Sequence, residues 1–408
     1  MLDLVISNVR IARQEGCFDI GVRGGKIAAI GRTLATDVPR HDMCGRFAFG
    51  GFVDSHIHLD KACILDRCLI CEGTLEEAVR ETAKAKLGFT IEDVYARAAR
   101  VVENAIMNGT TVMRTFVEID ARAGFRSFEA IKQIRHAYAW AIDIQICAFA
   151  QEGLTNEPET AEMLDRALES GADMIGGCPY TDPDPQAHIS RIFDLAERHG
   201  VDVDFHLDFD LNPSGSAIPA VLAETERRGY GGRVSIGHAT KLSAMPTPVV
   251  SEFARRLADA GVAVTTLPAT DIFLLGRGAD HLIPRGLAPA MLLIDHGVNV
   301  TAATNNVLNP FTPYGDASLA RMANFFANLA QLSRDEDIAR AFDMVTINAA
   351  RLMRRDYRLE PGVAADIVVV DAADPLSLVR EIRQPIAGWK NGRQTFVRPQ
   401  PRLLPPKS

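Results

Sequence analysis

The sequence predicts an α/β protein: a (β/α)8 TIM barrel with a small β-sandwich domain built from both ends of the chain. Three observations predict it. Eight short apolar, β-branched runs alternate with segments of helical periodicity through the middle of the chain. Both ends read instead as short strands joined by tight turns. Histidines, amides and acids gather just after the apolar runs, where a (β/α)8 barrel carries its chemistry.

The N-terminal strands are Leu4 to Ile11, Phe18 to Val22 and Ile27 to Ile30, with Gly24-Gly25 as the hairpin turn between the last two. At the other end, Ala365 to Asp371 is a strand. Ile386 to Lys390 then passes through Asn391-Gly392 into Arg393 to Val397. Asn-Gly suits a type I′ turn because both residues tolerate positive φ. The two ends form one composite β domain, residues 1–49 and 355–408, around a barrel of residues 50–354. The proline-rich tail, Pro399 to Ser408, reads as loose.

The eight barrel runs are Phe47 to Val53, Thr111 to Phe116, Ile142 to Phe149, Met174 to Gly177, Val201 to Phe205, Val234 to Ile236, Val262 to Thr266 and Val298 to Ala303. Helical patterns lie between them, among them Thr90 to Asn108, Glu159 to Ser170, Ile189 to His199 and Val249 to Ala260. Leu319 to Leu332 has the same spacing and reads as packing against the barrel or a neighbouring subunit. No Gly-x-Gly-x-x-Gly follows any run, which removes the nucleotide signature of an open doubly wound sheet.

Composition narrows the function. The 408 residues are 47% hydrophobic and 24% charged, with a net charge of −8, so nothing marks a nucleic-acid surface. No apolar run approaches the roughly 20 residues of a membrane-spanning helix. The start, Met1 to Ile6, lacks the basic head of a secretory signal, and seven cysteines suit reduced thiols. A cytoplasmic location is expected. Cys68-x-x-Cys71 has no second pair and reads as ordinary thiols, as does Cys178.

The first run delivers Asp54-Ser55-His56-Ile57-His58. Side chains alternate along a strand, so His56 and His58 point the same way and can share one divalent ion. The fifth run ends in His206 and the sixth in His238. Thus four of ten histidines stand at strand ends, whereas His136 and His199 fall in helical or loop sequence and read as surface. Neutral imidazole ligates zinc, iron and other first-row metals, and a catalytic metal keeps three protein ligands and an open position. His56, His58 and His206 supply three.

This set resembles the amidohydrolase superfamily, in particular the subgroup of cytosine deaminase and N-isopropylammelide hydrolase. The resemblance rests on Gly51 to Lys61, Ala148 to Gly153, Asp204 to His206, Gly237 to Thr240, Leu274 to Arg277, Asn309 to Gly315 and Gly362 to Val370. It implies one divalent transition metal, zinc or iron, and a small nitrogen heterocycle as substrate. It also makes a homo-oligomer plausible. It implies His56, His58 and His206 as metal ligands, His238 as the group that polarises the substrate or orients water, and Gln151 as a substrate ligand. Lys61 and Asn306 join Gln151 as expected substrate contacts.

Two departures from the family pattern stand out. The aspartate expected after the eighth strand is Asn305, an uncharged and weaker fourth ligand. The glutamate expected three residues after His206 is Phe209, flanked by Asp208 and Asp210. Strand alternation would carry both aspartates to the face of His206 and make one of them the proton carrier, with Asp316 as a more distant choice. The expected activity is hydrolysis of a C–N bond in a small heterocycle, by deamination or amine release. Ring opening of a cyclic amide is an alternative. A non-catalytic ligand-binding relative with a weakened metal site is another. The stretch Gly176 to Pro185 is expected to form a loop over the mouth.

Overall fold

The computed structural model describes residues 1–399 and 401–404, so part of the proline-rich tail, residue 400 and residues 405–408, lies outside the described residues. Two sheets organise the chain. Strands β1 (Leu4–Ile11), β2 (Phe18–Arg23), β3 (Lys26–Gly31) and β4 (Arg40–Phe49) come from the N-terminal part. The next eight are β5 (Phe52–Ile57), β6 (Thr110–Glu118), β7 (Asp143–Ala150), β8 (Met174–Gly177), β9 (Asp202–Leu207), β10 (Val234–His238), β11 (Val262–Thr266) and β12 (Val300–Ala302). The last three are β13 (Ile367–Val370), β14 (Pro385–Lys390) and β15 (Arg393–Val397).

Strands β5 to β12 pair in chain order, all parallel. The ring closes through backbone bonds between the end of β5 and the segment after β12. Asn305 N–H donates to His56 O at 2.8 Å, and His58 N–H donates to Asn305 O at 2.8 Å. Barrel closure is therefore made by three residues that the sequence had placed in the metal site.

The outer sheet runs β15-β14-β13-β4-β1-β2-β3 as one hydrogen-bonded unit of seven strands. It rolls over on itself: Lys26 bridges Ala364, and Ile27 of β3 shares an apolar core with Ile367 of β13 and Trp389 of β14. The turns follow the reading. Gly24 and Gly25 have φ of 57° and 76°, and Asn391 and Gly392 have 49° and 74°.

One expected strand is two. The apolar run Phe47 to Val53 breaks at Gly50-Gly51, so Phe47 to Phe49 close β4 in the outer sheet and Phe52 opens the barrel. Gly51 has φ +85°, and a Cβ there would stand 2.4 Å from Thr111 Cγ2. Only glycine fits such a corner. The apolar character continues across it because Phe47, Phe49 and Phe52 pack with Phe342 where sheet meets barrel.

Helices wrap the barrel. Ile91–Met107 is capped by Thr90, whose side chain accepts from Asp93 N–H, and buries Val94, Ala98, Val101, Val102 and Ala105. The helix expected from Ile189 starts earlier, at Pro185, because Asp184 caps it and proline suits the first turn. Among the described residues no helix is long and apolar enough to cross a membrane.

Candidate active site

The C-terminal ends of the barrel strands bring the four strand-end histidines together. His56 Nε2 lies 3.0 Å from His206 Nε2, and His58 Nε2 lies 3.1 Å from the same atom. The rings rest on aromatic walls: His56 stacks on Phe116 at 4.0 Å and His206 lies 4.2 Å from Phe149, centroid to centroid. Burial, reinforced by neighbouring imidazoles and by Lys61, holds all three well below the usual histidine range. They are neutral, which is the ligating form.

Three neutral imidazoles aiming the same nitrogen at one point form an electrostatically poor cluster. His206 Nε2 cannot carry a proton for both neighbours, and the Nδ1 atoms of all three are buried without hydrogen-bond partners. A divalent ion among the three Nε2 atoms removes the conflict. The side chain of Asn305 supports that fit. Both its amide atoms are buried without partners, and the residue lines the same cavity. It sits at φ +60°, a conformation asparagine tolerates.

His238 ends β10 and is held by a residue the sequence reading did not single out. Its Nδ1 lies 2.6 Å from Asp271 Oδ1, and Asp271 Oδ2 accepts from Leu267 N–H at 3.2 Å. Burial pushes the Asp271 carboxyl up, against the pull of His238. The bond fixes the ring with Nε2 toward the cavity. Asp271 stands on the short helix Pro268–Leu274 after β11. Its place after a strand was visible in sequence, but no local signal ties it to a histidine 33 residues away.

The expected proton carriers lie elsewhere. Strand β9 ends at Leu207, so alternation stops before Asp208, which turns at φ +53°. Its carboxylate accepts from Ser216 Oγ at 2.5 Å and Ala217 N–H at 2.9 Å. Asp210 pairs with Lys241 Nζ at 2.7 Å, with 49% of its side chain exposed. Neither lines the cavity. Phe209 points in instead and stacks on His238 at 4.0 Å. Asp316 accepts from Ser318 N–H in an exposed turn.

The expected substrate ligands Lys61, Gln151 and Asn306 do line the narrow cavity at the strand ends, with His58, His206 and His238. Lys61 Nζ donates to Glu118 Oε1 at 2.6 Å and to Gln151 Oε1 at 3.3 Å, and stands 4.3 Å over the Phe311 ring. Asn306 donates to Thr270 Oγ1 at 3.5 Å and accepts from Asn309 at 2.7 Å. Tyr180, from the expected mouth loop, completes the wall with Phe209 and Phe311.

Behind Lys61 lies a buried ionic knot. Lys86 Nζ contacts Glu118 Oε2 at 2.7 Å, Asp120 Oδ2 at 2.5 Å and Glu152 Oε1 at 2.6 Å. Burial raises Glu118, but the Lys61 and Lys86 ammoniums outweigh it and hold the carboxyl below its usual range. Burial pushes Glu152 up to about 7, with Glu118 and Asp120 adding to it against Lys86. The acids at the ends of β6 and β7 thus face Lys86 rather than the histidines.

Comparison with known proteins finds relatives along nearly the whole chain. The chain is 26% identical over 403 residues to N-isopropylammelide isopropyl amidohydrolase of Pseudomonas sp. (strain ADP), covering 96% of each. It is 28% identical over 363 residues to pterin deaminase of Rhizobium rhizogenes, covering 87% of this chain and 82% of that one. The structure of 5-methylcytosine deaminase from Klebsiella pneumoniae, liganded with 5-fluorocytosine, superposes with a TM-score of 0.93 at 27% identity, covering 98% and 99% of the two chains. That of N-isopropylammelide isopropylaminohydrolase from Burkholderia multivorans gives 0.85 at 28%, covering 97% and 98%. Residues 71–396 match the amidohydrolase family, whose members are metal-dependent. The chain belongs to the amidohydrolase family.

Proposed function

We propose that this protein is a metal-dependent hydrolase that cleaves a C–N bond in a small nitrogen heterocycle and releases ammonia or an amine. One observation carries the reading: the Nε2 atoms of His56, His58 and His206 converge at 3.0–3.1 Å beside a histidine oriented by a buried aspartate. Zinc or iron suits this nitrogen-rich donor set, with Asn305 Oδ1 as an uncharged fourth donor. An ion held there would supply the nucleophile at neutral pH by lowering the pKa of a bound water towards about 7.

The chain's own residues do the rest. His238, its Nδ1 tied to Asp271, presents Nε2 to the substrate oxygen and is placed to pass a proton to the departing nitrogen. Lys61, Gln151 and Asn306 hold the ring's polar edge. Phe209, Phe311 and Tyr180 flank the ring and exclude bulk water. We assign the chemistry to the barrel, residues 50–354, and the supporting role to the β unit of residues 1–49 and the described part of 355–408. We place the protein in the cytoplasm as a homo-oligomer.

A second reading has one observation in its favour. Among the described residues no carboxylate lines the cavity, because Phe209 and Asn305 stand where the resemblance expects acids. A ligand-binding relative without turnover would have that wall. One experiment separates the two: metal content by elemental analysis, and turnover on a panel of aminopyrimidines, aminotriazines and cyclic amides, for wild type and His206→Ala. The hydrolase reading expects about one ion per wild-type chain, turnover of a panel member, and loss of both in the variant. Full metal occupancy in His206→Ala rejects the ligand set. A metal-loaded wild type inert on the whole panel rejects the reaction.

A further inference from the structure

Beneath the strand-end histidines the barrel interior is polar, and one contact there is unfinished. Asp204 and His206 stand two residues apart on β9, so strand alternation puts both on the inner face, with Asp204 one layer below. His206 Nδ1 lies 3.7 Å from Asp204 Oδ1, and neither atom has a hydrogen-bond partner. Both side chains are buried, at 3% and 2% exposed. The other carboxylate oxygen is taken. Asp204 Oδ2 accepts from Ser235 Oγ, its neighbour in the register of β9 and β10. Burial raises the Asp204 carboxyl, while Ser235 and the Arg114 guanidinium pull the other way.

An imidazole that gives Nε2 to a metal carries its proton on Nδ1. In that tautomer His206 is a donor facing a free carboxylate oxygen. In the other tautomer Nδ1 turns a lone pair toward the same oxygen, and the two repel. The contact therefore favours the ligating form. Charge gives it weight. His56, His58 and His206 are neutral and Asn305 is an amide, so the expected donors bring no anion of their own. Among the described residues, Asp204 is the one carboxylate paired with a ring nitrogen of these three histidines. We infer that Asp204 positions His206 for the metal, its Oδ1 accepting the Nδ1 proton of the ligating tautomer and backing that ring with the negative charge the ligand set lacks. The inference rests on the metal-binding part of the hydrolase reading and adds a residue to it.

The test is the zinc affinity of the full-length protein, wild type against Asp204→Asn and Asp204→Ala, by competition with a chromogenic chelator. We expect the zinc dissociation constant to rise about tenfold in Asp204→Asn, which keeps an acceptor but not the charge, and up to about a hundredfold in Asp204→Ala. Proton NMR of the zinc-loaded proteins adds a readout that a merely structural role would not move. An imidazole N–H bonded to a carboxylate resonates far downfield, and zinc loading is expected to bring out one such signal in wild type that Asp204→Ala lacks. Unchanged zinc affinity in the folded variants overturns the inference, and so does a loss of affinity with that signal still present. Should neither variant fold, a crystal structure of the zinc-loaded wild type decides. His206 Nδ1 and Asp204 Oδ1 are then expected at about 2.7–2.9 Å. A gap still near 3.7 Å, or another partner on Nδ1, overturns the inference. No substrate enters any of these measurements. A wild type that takes up no zinc rejects the metal-dependent reading and this inference together. Zinc-loaded protein that shows the expected losses but no turnover rejects the reaction alone.

Discussion

His238 and Asp271 face one another from the ends of adjacent barrel strands, Nδ1 to Oδ1 at 2.6 Å, both buried. The bond joins two elements that sequence reading treats separately, a strand-end histidine and the first turn of a short helix. It fixes which imidazole nitrogen faces the cavity.

Asp271→Asn keeps the shape but lets His238 take the wrong tautomer. The expected result is a fall in kcat of about 10²- to 10³-fold with metal content unchanged. Steady-state kinetics with elemental analysis of the same preparation checks it. An unchanged kcat would mean that His238 needs no such anchor.

Asn305→Asp replaces a neutral donor by an anionic one at a position with two unpartnered amide atoms. The charge favours the bound ion, so the metal should survive roughly ten times more competing chelator than in wild type. Titration with a chromogenic chelator measures this. Equal retention would place the amide outside the ligand shell.

Among the described residues Lys86 is the single cation touching Glu118, Asp120 and Glu152 at once. Lys86→Met would leave three carboxylates crowded in the interior. Breaking such a buried set costs about 3–5 kcal/mol. Urea unfolding at neutral pH should show that loss, and a change below about 1 kcal/mol would mean that the knot relaxes or protonates.

Glu152 adds a pH signature. Its folded value of about 7 lies above that of an unfolded glutamate, near 4.3. Between these values the folded state binds the extra proton, so this group's contribution to stability rises as pH falls from about 7 to about 4.5. The buried histidines act oppositely below about 6.5, so the comparison must be with Glu152→Gln. Wild type should gain stability relative to the variant between pH 7.5 and pH 5 in thermal melts. A constant gap across that range would show that Glu152 is ionised throughout.

The sequence by itself determined the barrel, the pairing of its two ends and the histidine set. Each of these is written locally. Strand and helix periods alternate along the chain, Asn391-Gly392 fixes a hairpin, and His56-x-His58 at a strand end needs only side-chain alternation to converge. Tertiary structure decided the acid chemistry. Strand alternation extended past Leu207 turns Asp208 and Asp210 inward, but the backbone turns at Asp208 with positive φ, and Ser216 and Lys241 claim the carboxylates. No local signal marks Asp271, because its partner comes from another strand. The break at Gly50-Gly51 was hidden for a related reason: the residues on both sides are apolar, and only their assignment to different sheets, with Thr111 pressed against the corner, shows why glycine stands there. Local pattern fixes which elements form and which way a strand's side chains face. Which buried charge meets which partner depends on distances across the barrel, and those exist only once the ring has closed.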